Sequence, residues 1–261
     1  MSGARTSDPL LAIEGVSLSF AGVRALGDVS FKVARGEVCA LIGPNGAGKS
    51  SLLNIINGLY RPDAGAIVFD GERRAHMDPY RAAHRGIART FQNLGLFRGM
   101  TVLENLLTGR NLAVRSDIVS QALTLPWARR EERAQRAKVD EIVAFLDLGQ
   151  HRDAPSHTLP YGLQKRVELG RALAAAPTLL LLDEPMAGMT FDEKRALAGF
   201  LVDANEKLGL TIVLIEHDLG VVMDLSDHVV VLDYGRKIGD GTPDEVRADR
   251  AVVAAYVGRA A

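Results

Sequence analysis

The sequence predicts an α/β protein with three parts: a central, mainly parallel sheet, an antiparallel β subdomain near the N-terminus, and a helical subdomain. Three short apolar runs, 38–42, 179–182 and 211–215, predict the central strands, because strands covered on both faces are continuously hydrophobic. Apolar and polar residues alternate between 13 and 33, which predicts half-buried antiparallel strands. A 3.6-residue apolar period between 128 and 148 predicts an amphipathic helix.

Taken in order along the chain, the alternating segments come first, and Asp70-Gly71 after 67–69 predicts a hairpin turn. The first central strand, 38–42, follows the alternating segments and ends in glycines. From about 101 to 176 the sequence is mostly helical in character, and the mixed charge run 129–136 is interpreted as a solvated helix face. We therefore expect one domain over 1–261. Its core with the β subdomain covers about 10–92 and 177–261, and the helical subdomain covers about 93–176.

The composition is that of an ordinary globular protein, with 47% hydrophobic and 24% charged residues in 261. The net charge of -1 gives no bulk attraction for nucleic acid, and we expect no nucleic-acid partner. Cys39 cannot form an internal disulfide and is interpreted as an inert core thiol. The first ten residues lack the apolar segment of a secretory signal, and no apolar run reaches the roughly 18 to 20 residues of a membrane span. If the protein works at a membrane, we expect other chains to supply the spans.

A phosphate-binding loop is the strongest motif. "GPNGAGKS", 43–50, matches G-x-x-x-x-G-K-[ST] directly after a predicted strand and before a predicted helix. Glycines let successive backbone N–H groups turn toward phosphate oxygens, and the helix adds its positive end. Lys49 would neutralise the outer phosphates and Ser50 would ligate magnesium, which predicts a nucleotide and Mg²⁺ as ligands. The predicted nucleotide contacts here are Gly43, Pro44, Asn45, Gly46, Ala47, Gly48, Lys49, Ser50 and Ser51.

Two carboxylates, Asp183 and Glu184, end the apolar run in "LLLLDEP". Two unpaired charges in an apolar setting are costly, so a bound cation would explain them. Asp183 would hold the magnesium shell through Ser50 and water, while Glu184 would orient and deprotonate the attacking water. The alternative, acids that only cap a helix, is weaker beside a phosphate loop.

Two further polar residues are candidates for catalysis. His217 follows the third apolar run, where the strand ends of an open α/β sheet converge on a ligand, although a structural role is the alternative. Gln92 in "ARTFQN" has both a donor and an acceptor, so it could hold magnesium and water and sense the γ-phosphate. The predicted catalytic residues are thus Glu184, His217 and Gln92, and the predicted magnesium ligands are Ser50, Gln92 and Asp183.

In this order the motifs resemble the ATP-binding-cassette ATPases over almost the whole chain. The loop 159–164 corresponds to that family's signature, usually L-S-G-G-Q, with Tyr161 in place of the serine and Leu163 at the second glycine. The resemblance implies that Tyr161, Gly162 and Gln164 contact ATP held by a second subunit. It also implies that Phe20 stacks on adenine, with core packing as the alternative. Thr190 stands where the family commonly has an acid.

Several stretches, among them "GIARTFQNLGLFRGMTVLENLL" and "IEHDLGVVMDLSDHVVVLDYGRKIGDGTP", are similar to the ATPase subunits of branched-chain amino acid importers and of relatives that take up other small polar or aromatic acids. This resemblance implies a second ATPase subunit, identical or different, two transmembrane permease subunits and, indirectly, a substrate-binding protein. It places the chain at the cytoplasmic face of the membrane. The alternatives are an ATPase of lipopolysaccharide export and, less favoured, a soluble cassette protein acting on ribosomes or DNA.

A docking groove for a permease helix is expected between residues 92 and 104. The alternative for each side chain is internal packing, and both can hold at once. The apolar residues of this segment are Leu94, Leu96, Phe97, Met100 and Leu103.

Overall fold

The structure is a computed structural model that describes residues 9–91, 94–113 and 125–257. The chain folds into two compact units. The described residues of the core unit fall in Met1–Arg89, Thr178–Pro185 and Leu201–Ala261, and those of the helical unit in Thr90–Pro177 and Met186–Phe200. The predicted α/β class with a mainly parallel sheet, an antiparallel β part and a helical part is confirmed.

The described strands lie in the core unit and form two sheets. In chain order they are β1 (Leu11–Phe20), β2 (Val23–Val33), β3 (Val38–Ile42), β4 (Ala64–Phe69), β5 (Glu72–Arg74), β6 (Ile87–Arg89), β7 (Leu179–Asp183), β8 (Thr211–Ile215), β9 (His228–Asp233) and β10 (Arg236–Gly241). The first sheet is antiparallel in the order β2-β1-β4-β5. The second has the order β10-β9-β3-β8-β7-β6, parallel except for the β10–β9 pair.

The burial pattern explains why these segments form strands. Every residue of β3, β7 and β8 is buried, as expected for the inner strands of a covered parallel sheet. Toward the end of β2, the buried residues Phe31 and Val33 alternate with exposed residues, so this sheet has one solvent-exposed face. Asp70 and Gly71 connect β4 to β5, as the hairpin signal predicts, and both have positive φ.

Several of the described helices begin at a side-chain cap. Thr101 and Glu104 form a reciprocal capping box at one helix start, and Thr242 and Glu245 form another. In chain order the helices are α1 (Lys49–Ile56), α2 (Pro79–His84), α3 (Val102–Thr108), α4 (Pro126–Phe145), α5 (Tyr161–Ala174), α6 (Phe191–Leu208), α7 (Leu219–Leu225), α8 (Pro243–Ala248) and α9 (Arg250–Val257). Within the described ranges, none of these helices is long and apolar enough to cross a membrane.

The helical unit is built around α3, which packs against α4 and α5. Asn105 of α3 is fully buried. Its Nδ2 donates to the carbonyls of Phe97 at 3.2 Å and Thr101 at 3.0 Å, while its Oδ1 accepts from the Phe97 N–H at 2.9 Å. A buried amide whose groups are satisfied in this way fixes the backbone that it binds, here the loop entering α3.

A charged cluster lies in the core unit where β3, β9 and β10 meet. Nε2 of His228 is 2.6 Å from Oδ1 of Asp240, and its Nδ1 is 3.6 Å from Oε1 of Glu37. Cys39 is the register partner of His228 in the β3–β9 pair and is buried, as its sequence context predicts. The imidazole therefore lies between two carboxylates.

Candidate functional site

The loop between β3 and α1 admits no side chain at two of its glycines. Gly43 has φ +145°, and a Cβ there would lie 2.0 Å from the carbonyl oxygen of Leu232. Gly48 has φ +99°, and its Cβ would lie 2.6 Å from the carbonyl oxygen of Ala25. The loop is thus packed closely against neighbouring backbone. Since α1 begins after Gly48 without a side-chain cap, its first N–H groups remain suited to an anion.

Lys49 is the first residue of α1, and its side chain turns back into this loop. The residue is only 6% exposed, and its Nζ donates to the carbonyl oxygens of Gly43 at 2.7 Å and Pro44 at 3.0 Å. Burial lowers the pKa of Lys49, while the charges of Glu184 and Asp183 oppose that effect. The loop therefore holds a desolvated ammonium group that phosphate oxygens would stabilise better than carbonyls do.

Ser50 and Asp183 approach each other at the end of β7. Ser50 Oγ is 3.5 Å from Oδ1 of Asp183, longer than an ordinary O–H···O hydrogen bond. A hydroxyl and a carboxylate are hard oxygen donors of the type that magnesium prefers, so the two residues fit that ion. The expectation that Asp183 lacks a protein counter-charge is wrong, because Arg89 Nη2 lies 2.7 Å from its Oδ2.

Glu184 and His217 follow β7 and β8, which are neighbours in the sheet. Oε1 of Glu184 lies 2.7 Å from Nε2 of His217. The Glu184 N–H donates to the carbonyl oxygen of Ile215 at 3.0 Å, and its φ is +51°, a conformation that side-chain-bearing residues rarely adopt. Backbone held this way concentrates at functional sites. The strand ends thus bring together two of the predicted catalytic residues, Glu184 and His217.

Phe20 ends β1 and is 45% exposed, so the alternative of core packing does not describe it. Its ring meets the ring of Tyr60 edge-on, with centroids 5.2 Å apart. Tyr60 carries no motif that singles it out in the sequence. An exposed aromatic face braced by a second ring is suited to stacking on a flat base.

The predicted signature residues lie at the start of α5 in the helical unit. Tyr161 is 40% exposed, and its hydroxyl donates to the carbonyl oxygen of Ala187 at 3.2 Å. A Cβ on Gly162 would lie 2.4 Å from Oε1 of Glu193, so a larger residue here would displace the Glu193 side chain. Gln164 turns inward, with Nε2 donating to the Leu159 carbonyl oxygen at 2.8 Å. Tyr161 therefore lies where a ligand can approach α5, whereas Gly162 is buried and the Gln164 amide is used locally.

Gln92 lies outside the described residues. Of the expected docking residues, Phe97 is 51% exposed, whereas Leu94, Leu96 and Met100 are partly buried. Leu103 is 4% exposed, so internal packing describes it and a docking role does not. It belongs to α3, where helical periodicity turns it inward.

Arg89 and Glu193 are two polar residues that the sequence analysis did not identify. Arg89 lies three positions before Gln92, at the end of a three-residue strand too short for any periodicity. Glu193 accepts from the Thr190 N–H at 2.9 Å, in the N-terminal capping pattern. The pattern T-x-x-E was its available signal.

A phosphate loop after a parallel strand, with paired acids and a histidine at the neighbouring strand ends, defines a nucleoside-triphosphate-hydrolysing fold. The family model described as ABC transporter matches residues 26–187, and the one described as branched-chain amino acid ATP-binding cassette transporter matches 236–261. The chain belongs to the ABC transporter family, and it is an ATP-binding ATPase of that family.

Individual relatives are similar to this chain along their whole length. A high-affinity branched-chain amino acid transport ATP-binding protein of Pseudomonas aeruginosa is 36% identical over 97% of this chain and 100% of the relative. Its counterpart in Salmonella typhimurium is 37% identical with the same coverage. The crystal structure of the ADP conformation of an ATP-binding cassette of an ABC transporter superposes with a TM-score of 0.83 at 33% identity, covering 97% of this chain and 100% of that chain.

Proposed function

We propose that this chain supplies the ATP-driven step of an importer for branched-chain amino acids or related small polar or aromatic acids. The similarity to branched-chain transport subunits over 97% of the chain carries this proposal. The match of residues 236–261 to the branched-chain cassette model supports it independently of the nucleotide site.

The proposed ATP site lies on the core unit. Phe20 stacks on the adenine, and the loop from Gly43 to Ser51 wraps the phosphates. Lys49 exchanges its carbonyl partners for the outer phosphate oxygens. Ser50, Asp183 and Gln92 would hold magnesium, which supplies positive charge to the β- and γ-phosphates.

In the proposed chemical step, the oxygen of the attacking water bonds to the γ-phosphorus while Glu184 accepts a proton from that water. The bond between the γ-phosphorus and the ADP oxygen breaks at the same time. His217 donates from Nε2 to the Glu184 carboxylate and so fixes its direction. The 2.7 Å contact between the two side chains supports this pairing. Gln92 helps to hold the water.

A second ATPase subunit, identical or different, completes each site. Tyr161, Gly162 and Gln164 at the start of α5 face the nucleotide of that partner. The exposed Tyr161 side chain supports this assignment, while the Gly162 N–H already binds the Glu193 carboxylate. Binding of ATP draws the subunits together, and hydrolysis lets them part.

Two permease subunits hold the ATPase pair at the cytoplasmic face of the membrane, and a substrate-binding protein delivers the amino acid. Exposed Phe97, with partly buried Leu96 and Met100 beside it, supports a docking surface for a permease helix. The loop is kept in shape by the buried Asn105.

Affinity purification from gently solubilised membranes, followed by mass spectrometry, tests the assembly. Co-purification of two permeases and a second cassette ATPase is the expected result, and radiolabelled leucine uptake by the reconstituted complex then tests the substrate class. Co-purification of lipopolysaccharide-export proteins would contradict the proposal. Recovery of the protein bound to ribosomes or DNA without permeases would contradict it as well.

A further inference from the structure

Arg89 forms a buried ion pair with the carboxylate at the end of β7. Its Nη2 lies 2.7 Å from Oδ2 of Asp183, and the two side chains are 6% and 4% exposed. β6 and β7 are parallel neighbours, with Arg89 in register with Leu181, two residues before Asp183. A buried charge needs a partner, so each of these groups depends on the other.

The same guanidinium also reaches the helix that carries Ser50. Arg89 Nη1 donates to Oδ1 of Asn54, which lies one turn after Ser50 on α1. Residues four apart on a helix share a face, so Ser50 and Asn54 both lie toward the end of β7. Arg89 thus ties α1 to β7 through one planar group.

The two oxygens of Asp183 have different neighbours. Oδ2 accepts from Arg89, while Oδ1 lies 3.5 Å from Ser50 Oγ. While the ion pair is intact, the Asp183 carboxylate cannot rotate freely, and it cannot offer both of its oxygens to a metal ion. Only Oδ1 then remains directed toward the second proposed metal ligand.

Opposite charges also face each other near the loop before any ligand binds. The positive groups Lys49 and Arg89 oppose the negative groups Asp183 and Glu184 within the core unit. A divalent cation alone would meet little net attraction, because Arg89 already neutralises the carboxylate it would use. The phosphates of a nucleotide bring the missing negative charge.

We infer that Arg89 is a positioning residue for the metal: it directs Oδ1 of Asp183 toward Ser50 and prevents divalent-cation binding until nucleotide phosphates are present. The inference rests on the metal-binding roles proposed for Ser50 and Asp183. It assigns to Arg89 a role that neither the phosphate loop nor the acidic pair contains.

The test measures Mn²⁺ binding to the nucleotide-free, full-length protein by electron paramagnetic resonance of the free ion. Mn²⁺ accepts the oxygen ligands that suit magnesium. Arg89→Met is expected to bind Mn²⁺ at least about tenfold more tightly than the wild type, because the carboxylate loses its internal cation. The double variant Arg89→Met/Asp183→Asn is expected to lose that gain.

Two matched variants guard against misfolding. Arg89→Gln removes the charge but keeps a donor, and is expected to gain Mn²⁺ affinity as Arg89→Met does. Arg89→Lys keeps the charge and is expected to resemble the wild type. Unchanged Mn²⁺ affinity in a folded neutral variant, or an equal gain in Arg89→Lys, overturns the inference.

The metal readout needs neither hydrolysis nor transport. Failure of the wild-type protein to bind ATP in a separate titration would count against the proposed function alone. Failure of the Mn²⁺ comparison, with ATP binding intact, would count against the role of Arg89 alone.

Discussion

Oε1 of Glu184 and Nε2 of His217 lie 2.7 Å apart, each at the end of a different parallel strand. The Glu184 side chain is 19% exposed and that of His217 is 44% exposed, so the pair is reachable from solvent. The Glu184 carboxylate can accept a proton, and the His217 ring can hold that carboxylate in place.

Glu184→Gln is expected to slow ATP hydrolysis by about 10²- to 10⁴-fold, because the amide cannot accept the proton of the attacking water. ATP affinity is expected to stay unchanged, since the phosphate loop is intact. Steady-state phosphate release and equilibrium ATP binding measure the two quantities. The exposed Glu206→Gln on α6 is the matched control, and normal turnover in Glu184→Gln would remove Glu184 as the base.

His217→Ala is expected to reduce turnover with little effect on ATP binding, because the ring fixes Glu184 but does not touch the phosphate loop. His217→Gln can still donate one hydrogen bond and is expected to retain more activity than His217→Ala. Full activity in both variants would make His217 a structural residue. The measurement is kcat alongside nucleotide affinity for each variant.

Lys49→Ala is expected to weaken ATP binding by at least about tenfold, since a charge-assisted contact to phosphate is lost. Its stability without nucleotide is expected to be equal to or above that of the wild type, because burial already lowers the pKa of this ammonium and so disfavours its charged form. Isothermal calorimetry and thermal denaturation give the two values. The exposed Lys207→Ala serves as control, and undiminished ATP affinity in Lys49→Ala would contradict the assignment.

The His228 cluster predicts a pH-dependent free energy of unfolding. Burial lowers the pKa of His228, but contacts with Cys39, Glu37 and Asp240 outweigh burial and raise it to about 11. A pKa raised above the unfolded value stabilises the fold fully below about pH 6.5, and the gain is lost as pH rises toward the folded pKa. Glu37 and Asp240, whose pKa values are lowered, stay ionised throughout this window.

His228→Gln is therefore expected to cost about 1–3 kcal/mol near pH 6.5 and progressively less at higher pH. Urea unfolding of wild type and variant at several pH values between 6.5 and 9.5 measures the difference. The exposed His76→Gln is the control. A difference that stays constant across the series would show that the imidazole contributes through packing and not through its charge.

The fold was predictable because its main signals are local. The buried strands β3, β7 and β8 are continuous apolar runs, and the phosphate loop follows from its own spacing. The Arg89–Asp183 pair was not predictable, since it depends on two parallel strands being neighbours across 94 positions of sequence. Leu103 follows the alternative of internal packing for a similar reason, because a list of apolar residues does not show which of them a helix turns inward.

The sheet order has a consequence for how the chain is made. β3 lies between β8 and β9, so residues 38–42 find their sheet partners only after residues 211–233 have been translated. The antiparallel sheet, by contrast, consists entirely of strands from residues 11–74. We therefore expect the antiparallel sheet to form early during synthesis on the ribosome. The nucleotide loop is expected to reach its final conformation only after β8 and β9 have been synthesised.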